Sequence, residues 1–324
     1  MSQTFENLSI LHPDYMLPIA LKRLQGEFVG KYFLPDRAVR NIVYRWKYYG
    51  VIGGMTPKVA ENDKGPLTHT RYEQRTGRVE PYKERDLVSD FTDLVEGRNI
   101  VRDTIENLTQ RFALRQEYLR INAIVNACYM NSTVGSVAAD SEGYFWVDLD
   151  DGGRNWSGGS GAVDPVKDLI HARTQIKKYA KVIPDTMICS PDVVEALKNN
   201  TGMKQWDRFG AMMRRVVKDG KLAFESEVPG SVGKIAGLEI FEVNADVLSD
   251  QEDEHSALTP IMGNDAYIFK RGPELGAMHV LKGLFTRSKH KQMRDATEIQ
   301  VGGIMACDIF RPQFIFCLKN VVKP

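Results

Sequence analysis

From Arg98 to Val134 the chain contains neither glycine nor proline, with Gly97 just before and Gly135 just after. Val101, Ile105, Leu108, Phe112, Leu119 and Ile124 recur there mostly at three- and four-residue steps, the spacing of one helical face. Arg102, Asp103, Glu106, Arg111, Arg115, Glu117 and Arg120 fall largely off that stripe. The spacing predicts one amphipathic helix, roughly 45 Å long if about 30 residues are helical. Globular helices usually stop well short of that. A polar, Tyr- and Arg-rich excursion precedes it. A long helix behind a long extended segment predicts a subunit shaped to hold neighbours.

The 324 residues, 43% hydrophobic and 26% charged, suffice for a packed core and for two domains or one elaborate domain with extensions. A net charge of +1 argues against a dedicated nucleic-acid binder, which carries a strongly basic face. No apolar run reaches membrane-spanning length. Residues 1–20 lack the basic and apolar regions of a signal peptide. Cys128, Cys189, Cys307 and Cys317 are scattered without a CxxC pair. They read as small buried hydrophobes in a reducing compartment rather than as a zinc site.

Residues 1–40 read as an arm, with a short helix over 17–24 and breaks at Pro13, Pro18 and Pro35. Residues 41–53 are β-prone and aromatic. Residues 54–79 are polar, a long loop or open hairpin of the kind that is usually functional. A strand is expected over 144–149. Residues 152–161 (GGRNWSGGSG) read as a flexible connector and domain boundary. Asp164 as N-cap and Pro165 at the first helical position open a helix, and Ser190-Pro191 opens a second through Leu197. Between them lies a buried strand, Thr186–Cys189. Further strands are expected at 238–243, 266–270, 285–286, 298–304 and 308–318, with a solvated acidic loop over 246–256.

No motif for catalysis, cofactor or metal stands up. Gly230-Ser231-Val232-Gly233-Lys234-Ile235 has Ile235 where a P-loop needs Ser or Thr, and reads as a surface turn. Residues 158–162 lack the last glycine of a nucleophile elbow. Residues 148–152 place Gly152 too early for an EF-hand. His12, His69, His171, His255, His279 and His290 share no ligand spacing, and His171 is expected in a core or interface. Glu225/Glu227 and Glu252/Asp253/Glu254 have no partner base assigned by the sequence.

The polar excursion interleaves Arg71, Arg75, Arg78, Lys83 and Arg85 with Tyr72, Tyr82, Glu73, Glu80 and Glu84. Stacking on single-stranded nucleic acid and a plain solvated loop are two readings. The alternating signs favour a third, protein–protein contact with Arg and Tyr as anchors. The expected intersubunit residues are Arg71, Tyr72, Arg75, Arg78 and Tyr82. Residues 56–79 are expected to serve assembly more than the subunit's own core.

Several segments, in order, resemble the major capsid proteins of tailed bacteriophages, the Hong Kong ninety-seven fold. FVGKYFLPDRAVRNIVYRWKYY (28–49) is similar to the family's arm turning into an aromatic strand. RYEQRTGRVEPYKERDLVSD (71–90) is similar to the returning limb of its extended loop. Residues 98–129 resemble its spine helix, with Leu114, Glu117 and Ala123 in the "L-x-x-E-x-x-x-A" region. Residues 163–200 with MKQWDRFG, then 234–248, resemble the axial domain. Residues 285–318 resemble the closing strands of the peripheral domain. The implied fold is α+β: arm 1–40, extended β-hairpin loop 41–89, peripheral domain with spine helix 90–162, axial domain 163–284, and closing strands 285–324.

The resemblance implies a non-catalytic capsid subunit without cofactors. It would assemble into pentamers and hexamers of an icosahedral shell around double-stranded viral DNA, in the host cytoplasm. Implied partners are further copies, a separate scaffolding protein, a portal, a decoration protein and non-specific lumenal DNA. Cross-linking through Lys58 or Lys64 is not singled out. Two rivals remain: an encapsulin-like nanocompartment shell, favoured by a cargo-docking N-terminal helix, and an enzyme with a long helical lid, favoured by a convergent catalytic cluster.

Overall fold

A computed structural model describes residues 29–49, 72–89, 98–134, 142–143, 145–149, 155–157, 164–200, 215–218, 221–224, 231–243, 247–248, 258–259, 261–291 and 296–322. The expected helix at 17–24, Arg71, both candidate lysines, the MKQWDRFG segment and most of 246–256 lie outside these residues. Within the last segment Val247–Leu248 pairs with Leu258–Thr259 as two short antiparallel strands. The chain divides into two compact units. One comprises Met1–Tyr44, Gly77–Ile121 and Ala277–Asp308; the other comprises Arg45–Thr76, Asn122–Gly276 and Ile309–Pro324.

The first unit is built on a four-stranded sheet, ordered Asp36–Ala38, Gly276–Lys291, Ala296–Ile309, Glu80–Ser89. Glu80–Ser89 runs antiparallel to Ala296–Ile309 from Met305↔Glu80 to Ala296↔Ser89. The helix Arg98–Val134 is uninterrupted, as its glycine- and proline-free sequence requires, and its part through Ile121 belongs to this unit and lies over the sheet. Val101, Ile105, Leu108 and Phe112 are buried against Val88, Met278, Ile299, Val301 and Met305. On the exposed side Arg102 pairs with Glu106 one turn on, at 2.9 Å. Gly303 allows Phe112 to sit on the sheet, since a Cβ there would come within 2.7 Å of Phe112 Cζ.

Two helix charges depart from expectation. Glu117 and Arg120 are only 2% and 3% exposed. Both oxygens of Glu117 accept the Gly30 N–H, each at 2.9 Å. Arg120 donates Nε to the Leu34 carbonyl at 3.2 Å and Nη2 to Asp36 at 2.6 Å. The segment they hold carries a one-turn helix, Gly30–Phe33, and buries Phe33 and Leu34 completely. Burial pushes the Glu117 carboxyl above the usual range; the backbone N–H groups of Gly30 and Val29, and Arg120, pull it back.

The second unit holds a seven-stranded mixed sheet, ordered Ser231–Ile235, Leu238–Glu242, Thr186–Cys189, Ala266–Phe269, Ile315–Lys319, Trp146–Asp148, Glu142–Gly143. Its central strands Thr186–Cys189 and Ala266–Phe269 are buried at every position, which explains their continuous apolar runs. Asp164 caps Pro165–Ala180 by accepting the Val166 N–H at 3.1 Å. Pro191 opens Pro191–Asn199 as its cap signal predicts. Ser231–Ile235 is a strand, not the expected turn.

Two further expectations are corrected in this unit and a third is narrowed. The alternation read as one strand over 308–318 is two strands, because Pro312 opens a 3-10 turn, Pro312–Phe314. After it Ile315–Lys319 joins the seven-stranded sheet, antiparallel to Ala266–Phe269 and parallel to Trp146–Asp148. The supposed flexible connector is pinned at Trp156, which is fully buried. Its indole donates to Asp168 at 3.0 Å and its backbone N–H to the Val321 carbonyl at 2.8 Å. Of the core and interface positions expected for His171 the core is ruled out, since it is exposed in the subunit, edge-on to Phe316 at 6.3 Å between ring centroids.

Candidate intersubunit surface

The strands Val43–Tyr49 (VYRWKYY) and Tyr72–Arg78 (YEQRTGR) form a two-stranded sheet of their own. Contacts at the two ends make them antiparallel: Tyr44 with Gly77, and Tyr49 with Tyr72. Alternation along a strand then sorts the side chains. Tyr44, Trp46, Tyr48, Glu73, Arg75 and Gly77 share one face; Lys47, Tyr49 and Tyr72 share the other.

On the first face the Arg75 guanidinium lies 3.8 Å from the Tyr48 ring centroid and 5.9 Å from that of Trp46, while bonding Glu73 at 3.1 Å. Burial raises the Tyr48 pKa, and the positive charge of Arg75 opposes that rise. On the second face Lys47 Nζ sits 4.4 Å over Tyr72, and Arg311 lies 4.9 Å over Tyr49. The Tyr49 N–H donates to the Phe310 carbonyl at 3.0 Å, and Trp46 contacts the Phe310 ring at 5.6 Å. Cations over aromatic faces make a surface that is apolar in body and charged at its rim. Such a surface is suited to docking rather than bond making.

The base of this hairpin is held by a polar cluster. The Tyr44 hydroxyl donates to the Asp308 carboxylate. The Tyr44 ring stacks on His279 at 4.1 Å, and His279 Nε2 lies 3.7 Å from Asp308. Burial, aided by Arg37, lowers the His279 pKa to about 4. Burial raises Asp308, partly offset by the Tyr44 hydrogen bond. His279 is therefore neutral at pH 7, and the cluster is a packed anchor.

The structure separates the five residues singled out from the sequence. Tyr72 is 50% exposed on the hairpin, and Arg78 is exposed at the end of its strand. Arg75 is half-covered by its stacking. Arg71 is outside the described residues. Tyr82 lies on the next strand, beside the spine helix, with Arg115 5.1 Å from its ring and its hydroxyl donating to Glu80. Nearby, burial raises the Glu84 carboxyl pKa against the pull of Arg111 and Arg115. Sequence reasoning missed Trp46, Lys47, Tyr48 and Arg311. The alternating aromatic run over 43–49 carried the signal for the first three; Arg311 carried none, being distant in sequence. Among the described residues no group of three or more His, Cys, Asp or Glu could hold a metal, and no helix is long and apolar enough to cross a membrane.

The family model for phage major capsid protein E matches residues 85–281, well over half of the chain. The chain belongs to the phage major capsid protein E family. It is a shell-forming capsid subunit, a structural protein of the virion. No curated protein matches it in sequence. Among solved structures this capsid chain is similar to a phage-related protein of Bordetella bronchiseptica. That match has 13% identity, covers 95% of this chain and 98% of the other, and has a TM-score of 0.61. The capsid structure of cyanophage P-SCSP1u gives 11% identity over 91% and 88% of the two chains, with a TM-score of 0.60. An encapsulin from Synechococcus elongatus gives 14% identity over 94% and 88%, with a TM-score of 0.50. These likenesses bear out the expected Hong Kong ninety-seven-like α+β fold.

Proposed function

We propose that this capsid chain is the major subunit of an icosahedral shell, arranged as pentamers and hexamers around the double-stranded DNA of a tailed virus. The observation that carries this reading is the hairpin. Its aromatic rings lie under cations on both faces, with Tyr72 half-exposed. Tyr72, Arg75, Arg78 and Tyr82, with Arg71, which precedes Tyr72 in the sequence, and Trp46 and Tyr48 on the paired strand, contact a neighbouring subunit. Tyr82 lies on the returning limb itself, with Arg115 over its ring.

Each such contact repeats at every equivalent position of a closed shell, so modest single contacts add up. Lumenal Lys and Arg side chains meet DNA phosphates without reading sequence, in keeping with a net charge of +1. The subunit has no catalytic role. It assembles in the host cytoplasm with a separate scaffolding protein, a portal and a decoration protein. An encapsulin-like compartment is the second reading, favoured by the shared fold.

Negative-stain microscopy of the purified chain, alone and co-expressed with the virus's scaffolding protein, tests the proposal. Closed particles are expected, with DNA in those isolated from virions. Dispersed monomers under every assembly condition would overturn it; particles isolated from the native source filled with protein cargo would decide for the second reading.

A further inference from the structure

Two cysteines far apart in sequence meet in the second unit. Cys128 belongs to the spine helix and Cys317 to the strand Ile315–Lys319. They are 2% and 0% exposed, and both are free thiols. Strand alternation turns Phe316 toward the helix Pro165–Ala180, where it meets His171. Cys317 therefore faces the opposite side of the sheet.

Both residues converge on one carbonyl. The Cys317 N–H donates to the Phe145 oxygen at 2.9 Å, and the Cys128 thiol donates to the same oxygen at 3.9 Å. Burial raises the Cys317 thiol pKa well above its ordinary range, and the neighbouring Cys128 thiol raises it further. Cys189, the other cysteine of this sheet, cannot compete. Its strand is separated from Ile315–Lys319 by Ala266–Phe269. Two strand spacings come to about 9.6 Å, beyond the roughly 7 Å that a disulfide spans between Cα atoms.

We propose that Cys128 and Cys317 are a latent redox staple, an intrachain disulfide that closes across the sheet and the spine helix when the folded subunit meets a peroxide. One thiol, as thiolate, attacks the peroxide oxygen, breaking the O–O bond. It becomes a sulfenic acid and releases water once a proton is taken up. The second thiol then attacks that sulfur, forming the S–S bond and expelling a second water. The two thiols lose two electrons and two protons, and one hydrogen peroxide is reduced to two waters.

Burial keeps both sulfurs out of reach, and it raises the Cys317 thiol well above its ordinary range. Closure therefore proceeds from locally opened states and is slow in the native protein. A virion outside the cell has no thiol reductant around it, so a slow reaction there accumulates. The bond would tie the helix to the sheet and limit opening of this unit.

The test uses the folded full-length chain treated with hydrogen peroxide, then alkylated and digested without reduction for mass spectrometry. The expected product is the peptide carrying Cys128 linked to the peptide carrying Cys317, forming several-fold faster in sub-denaturing urea. The oxidised protein should melt several degrees higher than the reduced one. Cys128→Ala should remove both effects, and Cys189→Ala with Cys307→Ala should leave them. The wild-type peptide map decides even if a variant fails to fold. Recovery of Cys128 and Cys317 only singly, as alkylated thiols or over-oxidised acids, would overturn the proposal, as would a linked form that melts lower.

Discussion

Gly77 lies beside the Tyr44 ring so closely that a Cβ there would fall 2.6 Å from both Cζ and Oη. Tyr44 cannot simply swing away, because its hydroxyl is bonded to Asp308 and its ring is stacked on His279. The base of the hairpin is thus set by a residue with no side chain. Gly77→Ala should cost about 1–3 kcal/mol through overpacking. Tyr44→Phe, which leaves Asp308 without its donor, should cost a similar amount. Urea denaturation of both variants checks this; parent-like midpoints would mean that the cluster does not anchor the hairpin.

Glu117 should matter through the segment it holds. Glu117→Ala removes the acceptor of the Gly30 N–H and should cost roughly 1–3 kcal/mol. Amide exchange should quicken most at residues 30–36. Uniform exchange, unchanged in that segment, would contradict the clamp.

Gly303 and Phe112 should be energetically coupled. Gly303→Ala pushes a methyl into the ring, at about 1–3 kcal/mol. Phe112→Leu makes room for it, so the double variant should be more stable than the sum of the singles by about 0.5 kcal/mol or more, the size of interaction seen for touching residues. Additive behaviour in a double-mutant cycle would show that the helix does not rest on Gly303.

Acid should weaken the cluster in a defined window. The folded His279 pKa of about 4 lies below the ordinary value near 6.5, so as pH falls the unfolded chain takes up the proton first. The stability contributed by neutral His279 is complete above pH 6.5 and is lost progressively between 6.5 and 4, by up to about 3 kcal/mol. Asp308, with its raised pKa, works the other way: the folded state takes its proton earlier and gains stability on acidification. The advantage of the parent over His279→Gln in melting temperature should shrink from about pH 7 to about pH 4.5. Parallel curves would show that His279 does not titrate as its burial requires.

Local signals in the sequence proved readable. The absence of Gly and Pro over 98–134 marked the spine helix, Asp164-Pro165 and Ser190-Pro191 marked two helix starts, and apolar runs marked the central strands. What stayed hidden depends on pairing across the chain. Glu117 and Arg120 look solvated because they sit off the apolar stripe; their burial comes from a segment some 85 residues away, which brings its own polar groups to meet them. Trp156 looks loose among glycines because Asp168 and Val321 lie outside its local pattern. Of the hairpin, the alternating aromatics were visible, but not Arg311 over Tyr49. Composition left residues 54–79 open between a long loop and an open hairpin, and the strand Tyr72–Arg78 answers to the hairpin.

Because both strands of the hairpin are paired, its tip can be removed without disturbing its base. Replacing residues 50–71 with a short Gly/Ser turn keeps both strands, Gly77 under Tyr44, and Arg75 on Tyr48. Electron microscopy of this variant beside the parent should show a soluble protein with parent-like circular dichroism that no longer closes into shells. Normal closed particles from the shortened chain would contradict an assembly role for the hairpin and its tip.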